Sequence, residues 1–84
     1  MVKVYGSMMC PDCVACAASY KEHQIDFEFY DFKDSLLYIK EFLKIRDTYE
    51  IFDEVRENEK IGIPCVVKED GTVLLDWQSL VDTV

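Results

Sequence analysis

The sequence predicts one α/β domain, a mixed four-stranded sheet with flanking helices in the chain order β-α-β-α-β-β-α. Three observations carry this. The chain has 84 residues, 50% of them hydrophobic and 13% aromatic, which is too rich in apolar side chains for disorder. A chain this short hides only ~60–65% of its unfolded surface, enough for one modest core and no second domain, so residues 1–84 are read as a single unit. Residues 2–32 read as strand, helix, strand, and so short a connection pairs the two strands in parallel with a right-handed crossover. Asp70-Gly71, set between two apolar runs, is the strongest hairpin signal in the chain and adds an antiparallel pair.

Each element has a local reason. Val2-Lys3-Val4-Tyr5 alternates apolar and polar residues as a half-buried strand does, and Gly6-Ser7 breaks it. A helix starts at Cys10, since Pro11 suits the first helical position and Asp12 suits its positive end; it runs to about Lys21 and exits at His23-Gln24. Residues 25–32 alternate again as a second strand. Asp34 or Ser35 can cap the next helix. From Leu36 to about Glu57 there is no glycine or proline, and Leu36, Ile39 and Leu43, with Phe42, Tyr49 and Phe52, recur at helical spacing. That is one long helix, or two with a bend near Asp47-Thr48. Ile61-Gly62-Ile63-Pro64 ends it. Cys65–Lys68 and Thr72–Leu75 are the hairpin strands, and Trp77–Val81 a short last helix.

Charge and cysteine use narrow the function. Seventeen acids against nine Lys and Arg give a net charge of −8, which repels phosphates and argues against nucleic acid or an anionic membrane as partner. No stretch approaches the ~20 apolar residues of a membrane span, and Met1–Tyr5 has no signal-peptide pattern, so a cytoplasmic protein is expected. Of four cysteines, Cys10, Cys13 and Cys16 cluster, while Cys65 is distant. A secreted disulfide scaffold spreads its cysteines to staple loops; clustering without an export signal points to redox chemistry or metal binding.

Cys10-Pro11-Asp12-Cys13 falls between a strand and a helix. There the free backbone N–H groups and the helix dipole stabilise a thiolate by ~0.3–2 kcal/mol, while Asp12 opposes it. Cys10, at the cap, is placed to attack a disulfide. Cys13, one turn in and more buried, is placed to resolve the mixed disulfide. No organic cofactor is needed.

The segment Tyr5-Gly6-Ser7-Met8-Met9-Cys10-Pro11-Asp12-Cys13 resembles the active-site segment of glutaredoxins, within the thioredoxin superfamily, and the element order is thioredoxin-like. Ile63-Pro64 resembles that family's cis-proline segment. The resemblance implies that the Ile63 backbone pairs with substrate and that Pro64 packs beside the two cysteines. It also implies substrate contacts from Met9, Pro11, Asp12, Trp77 and Gln78. Where the family carries a basic residue before the first cysteine, Ser7 stands. Leu75-Asp76 occupies the position of its Gly-Gly pair, Trp77 that of the following aromatic, and Gln78 replaces its Asp. These departures and the charge of −8 argue against glutathione, itself an anion. Glutathione stays a candidate external reductant beside a reductase-type donor. The expected substrate is a protein disulfide or a low-molecular-weight thiol, and the expected state a monomer.

Two rival classes use the same residues. Met8-Met9-Cys10-Pro11-Asp12-Cys13 has the Met-x-Cys-x-x-Cys spacing of soft-metal carriers for copper or zinc, and Cys10, Cys13, Cys16 and Cys65 could hold zinc or an iron–sulfur cluster. Neither explains Pro11 or Ile63-Pro64, and no metal ligand set is assigned. A binding protein without catalysis would use Asp47, Glu50, Asp53, Glu54, Glu57 and Glu59, which face only Arg56 as a base; the simpler reading is a solvated helix face. Cys16 and Cys65 read as small core hydrophobes, although Cys65 follows Pro64 directly. His23 reads as a surface residue. Trp77, Phe27, Phe29, Tyr30 and Phe32 read as core or sheet-face residues.

Overall fold

In a computed structural model, residues 1–57 and 61–82 are described, so Glu59 and Lys60 lie outside the described residues, as does the side chain of Arg56. The strands are β1 (Val2–Gly6), β2 (Phe27–Asp31), β3 (Cys65–Val67) and β4 (Val73–Leu74). The helices are α1 (Pro11–Glu22), α2 (Leu36–Thr48), α3 (Asp53–Glu57) and α4 (Gln78–Asp82), with a 3₁₀ turn over Glu50–Phe52 between α2 and α3. The sheet order is β2-β1-β3-β4. β1 and β2 are parallel, with Val4 opposite Phe29 and Gly6 opposite Asp31; β1–β3 and β3–β4 are antiparallel, with Tyr5 opposite Cys65. This is the mixed four-stranded α/β fold the sequence predicts. Among the described residues no helix is long and apolar enough to cross a membrane.

The period-two alternation sorts the core into two layers. One face of the sheet carries Tyr5, Cys65 and Val73 against Phe42 of α2 and Phe52 of the 3₁₀ turn. The other carries Val4 and Val66 against Cys16 and Tyr20 of α1, with Trp77, Leu80 and Val81 packed alongside. The Tyr20 hydroxyl donates to the Trp77 carbonyl at 2.8 Å, which fastens the C-terminal helix to α1. Tyr5 stacks on Tyr30 with ring centroids 5.1 Å apart, and its hydroxyl donates to Glu41 at 3.0 Å.

α1 begins as its sequence dictates. Cys10 is the extended N-cap, Pro11 opens the helix, and Asp12 lies in the first turn. Cys13, Cys16, Ala17 and Tyr20 form the buried stripe at helical spacing. The helix ends in a Schellman motif. Ile25 N–H donates to the Tyr20 carbonyl at 2.9 Å and Gln24 N–H to Lys21 at 3.2 Å, with Gln24 at φ +57°.

The second helical region is broken, as one of the two sequence alternatives has it. Ser35 caps α2 by accepting from Leu37 N–H at 3.1 Å, so Ser35 rather than Asp34 is the cap. Tyr49 takes an extended conformation (φ −93°, ψ 133°) and ends the helix one residue past the expected bend. The apolar stripe is also corrected. Leu36, Leu43 and Tyr49 are exposed, because the inward face is set by Phe42, whose ring lies 5.3 Å from Phe32 and 6.1 Å from Phe52. Strand bounds shift too. β1 reaches Gly6, β2 contracts to Phe27–Asp31, β3 stops at Val67, and β4 keeps only Val73–Leu74 of the four residues expected.

Gln24 is a non-glycine residue in the left-handed region, which costs an L-residue roughly 1–2 kcal/mol. Its side chain is exposed. Gln24→Gly should raise the unfolding free energy by about 0.5–1 kcal/mol after glycine's larger unfolded-state entropy is subtracted, read as an upward shift of the urea midpoint.

Candidate active site

The end of β1 delivers the chain into a tight turn. Cys10 N–H donates to the Ser7 carbonyl at 3.0 Å, and Met9 N–H to the Ser7 hydroxyl at 3.1 Å. Asp31, buried at the end of β2, holds this turn from below. One of its carboxylate oxygens accepts from Met8 N–H at 3.4 Å and the other from Lys33 N–H at 3.1 Å. Val14 N–H then donates to the Cys10 carbonyl at 3.1 Å, the first bond of α1.

The helix can come this close only because Gly6 has no side chain. A Cβ on Gly6 would lie 2.6 Å from Cys13 Sγ, closer than real atoms approach. The Cys13 sulfur is therefore seated on the backbone at the end of β1, buried, while Cys10 is half-buried at the surface. The Cys10 side chain and the Ser7 backbone N–H are the polar groups nearest in effect to the Cys13 thiol. Burial dominates its chemistry and pushes the Cys13 thiol up to about 12; the Ser7 N–H opposes that, and neighbouring Cys10 and Cys16 reinforce it. Cys13 thus stays protonated at neutral pH and serves as the donor toward the Cys10 sulfur.

Opposite Cys10, residues 61–64 form the floor of an apolar groove of about 440 Å³, walled by Val55 and Leu75. The Ile63–Pro64 bond is cis, and Gly62, at φ +90°, packs under the Phe52 ring, where a Cβ would lie 2.9 Å from it. Cys10, Ile63 and Pro64, all expected from sequence, meet in this groove. Met9 (92% exposed), Pro11 and Asp12 stand on the solvent side of the same turn. Trp77 and Gln78 are not brought to it. The Trp77 ring lies 6.1 Å from Tyr20 in the α1 layer, and exposed Gln78 opens α4, its N–H bonded to Asp76 at 3.2 Å. Val55, Gly62, Ile61 and Leu75 are lining residues that sequence reasoning missed. The apolar run Ile61-Gly62-Ile63-Pro64 was a signal for two of them and the place of Leu75 at the family's Gly-Gly pair a signal for a third, whereas Val55 reaches the groove only through folding.

Cys16 and Cys65 are both fully buried, on opposite sides of the sheet: Cys16 packs with Val4 and Tyr20, Cys65 with Tyr5 and Phe52. The sheet separates Cys65 from Cys13 and Cys16, so the four thiols are not gathered at one point. Among the described residues no group of three or more His, Cys, Asp or Glu side chains is placed to hold a metal ion.

Two outcomes follow from these thiols. At pH 7.5, iodoacetamide should add one carbamidomethyl group to the native reduced protein, at Cys10, and reach Cys13, Cys16 and Cys65 only after unfolding, as intact mass and peptide mapping would report. Burial holds Cys16 at about 11 and Cys65 at about 12, beside Cys13 at about 12. Unfolded thiols titrate near ~8.5, so above that pH the folded state keeps protons the unfolded chain has lost. Stability should be full below about pH 8.5 and fall as pH rises toward 11–12, measured by urea unfolding of the reduced protein.

No known family's sequence profile matches the chain, and no solved structure matches it. An uncharacterized protein of Haemophilus influenzae is 31% identical over 71 residues, which span 84% of this chain and 83% of that protein. By that similarity the chain belongs to the same family as the Haemophilus protein.

Proposed function

We propose that this protein is a glutaredoxin-like thiol–disulfide oxidoreductase on a thioredoxin-like scaffold. The observation that carries the reading is the pair of neighbouring thiols at the start of α1, Cys13 buried and Cys10 half-buried, with Cys10 lining a groove that Ile63 and Pro64 also line. The parallel β1–α1–β2 unit, the antiparallel β3–β4 pair and the sheet order β2-β1-β3-β4 are compatible with that scaffold.

The reaction needs no group beyond the chain and its substrate. The Cys10 thiolate attacks one sulfur of a substrate disulfide. The substrate S–S bond breaks, a Cys10–substrate mixed disulfide forms, and the leaving thiolate takes a proton from solvent. Cys13 then loses its proton and attacks Cys10 Sγ, which forms the Cys10–Cys13 disulfide and releases the second substrate thiol. The sum is protein dithiol plus disulfide giving protein disulfide plus two thiols. An external dithiol donor, of reductase type in preference to glutathione, restores the protein. A buried, protonated Cys13 suits this order, because it resolves the intermediate without competing for the first attack. The protein acts as a cytoplasmic monomer in this reading, with neither nucleic acid nor membrane as partner.

Replacement of each cysteine separates the two steps. Cys10→Ser should lower the rate of disulfide reduction by on the order of 10²-fold or more, with the fold retained by circular dichroism. Cys13→Ser should perform the first step and then stall as a mixed disulfide on Cys10, visible as an added mass equal to one half of the substrate. Unchanged turnover in Cys10→Ser would remove the mechanism.

A further inference from the structure

The Cys10 end of the molecule combines two properties that no small anionic thiol satisfies together. The first is apolar surface. The groove beside Cys10 is walled by Val55, Ile63, Pro64 and Leu75, and Ile61 at its mouth is 61% exposed. Met8, Met9 and Val14, on the turn and first turn of α1 that flank Cys10, are also exposed. Isolated exposed apolar residues are ordinary, but several around one nucleophilic sulfur mark a surface that another chain covers.

The second property is charge. The chain carries −8. Three acids close in sequence to lining residues are exposed: Asp12 two residues beyond Cys10, Glu54 before Val55, and Asp76 after Leu75. Two bases are also next in sequence to lining residues, Arg56 after Val55 and Lys60 before Ile61, and Lys33, at the carboxyl end of the parallel strands, is followed by Asp34; the charge of the whole chain stays at −8. A field of this sign slows the approach of anions and raises the encounter rate with cations.

We infer that the disulfide this dithiol reduces belongs to a protein segment with an aliphatic residue beside its cysteine and basic residues flanking it. The inference rests on the oxidoreductase reading of Cys10 and Cys13 and names the substrate class of that site. The aliphatic side chain fills the groove between Val55 and Leu75. The cysteine lies over Cys10, and a basic flank meets exposed Asp12 in the first turn of α1. The sulfur chemistry is the exchange already balanced above, with the segment's disulfide as the bond that breaks.

The test uses the intact reduced protein and five disulfides in single turnover, with released thiol measured by chromatography. They are a leucine-cysteine peptide disulfide flanked by lysines, the same peptide flanked by glutamates, the lysine peptide with serine for leucine, glutathione disulfide, and neutral hydroxyethyl disulfide. Each rate is divided by the rate with dithiothreitol, which removes intrinsic disulfide reactivity. The lysine-leucine peptide should exceed the glutamate peptide by about tenfold at low ionic strength, and the ratio should shrink toward one near 1 M salt, where the screening length falls to ~3 Å. Serine for leucine should cost several-fold. Ile61→Ser should narrow the leucine advantage and Asp12→Asn the lysine advantage, each referred to that variant's own rate with hydroxyethyl disulfide. Equal rates for the lysine and glutamate peptides, or glutathione disulfide as the fastest substrate, would overturn the inference and leave the oxidoreductase reading intact, provided hydroxyethyl disulfide still yields the Cys10–Cys13 disulfide. Failure of all five to oxidise that pair would overturn both.

Discussion

The structure turns on the seating of Cys13 against Gly6. A side chain on Gly6 would lie 2.6 Å from the Cys13 sulfur, so the first turn of α1 can rest on the end of β1 only where the strand offers bare backbone. That contact fixes how far the helix advances and therefore where its N-cap stands. Cys10 is left half-buried at the surface, and Cys13 falls within hydrogen-bonding reach of it inside the protein. The same contact explains the difference between two thiols of identical chemistry. Burial, more than any charge, keeps the proton on Cys13, and the Ser7 N–H offsets that only in part.

The groove is built from the other layer of the fold. Phe52 sits in the 3₁₀ turn that the break at Tyr49 makes possible, and Gly62 passes under its ring. The chain 61–64 is thereby held facing Cys10, with Val55 and Leu75 closing the sides. Two packing decisions on opposite faces of the sheet, Gly6 with Cys13 and Gly62 with Phe52, thus meet at one sulfur. Asp31 supports the first of these by holding the turn between β1 and α1 to the end of β2.

Much of this was legible from sequence where a local rule decides. The β1 and β2 alternation, Pro11 after the Cys10 cap, the Asp70-Gly71 hairpin and the exit at His23-Gln24 all depend on near neighbours. The inward face of α2 was not legible, because two stripes overlap in Leu36–Thr48, and only contact with Phe32 and Phe52 selects the one through Phe42. The groove was legible in part. Cys10, Ile63 and Pro64 carry short-range signals and Leu75 one of position in the resembled family, whereas Val55 joins them from a distant segment without one. Trp77 had two readings, core residue and substrate contact, and its packing fits the first. Its position in a pattern pointed to substrate, but the Tyr20 hydroxyl bonds its carbonyl and the Tyr20 ring packs against its indole in the α1 layer.

The central claim is that the fold pairs Cys10 with Cys13 and isolates Cys16 and Cys65. Equilibration of the protein across a series of dithiothreitol redox buffers, followed by acid quenching and mass-spectrometric mapping of all four cysteines, tests it most directly. One two-electron transition that joins Cys10 to Cys13 is expected, with Cys16 and Cys65 reduced throughout. A disulfide that includes Cys16 or Cys65, or four free thiols under the most oxidising buffer, would contradict it.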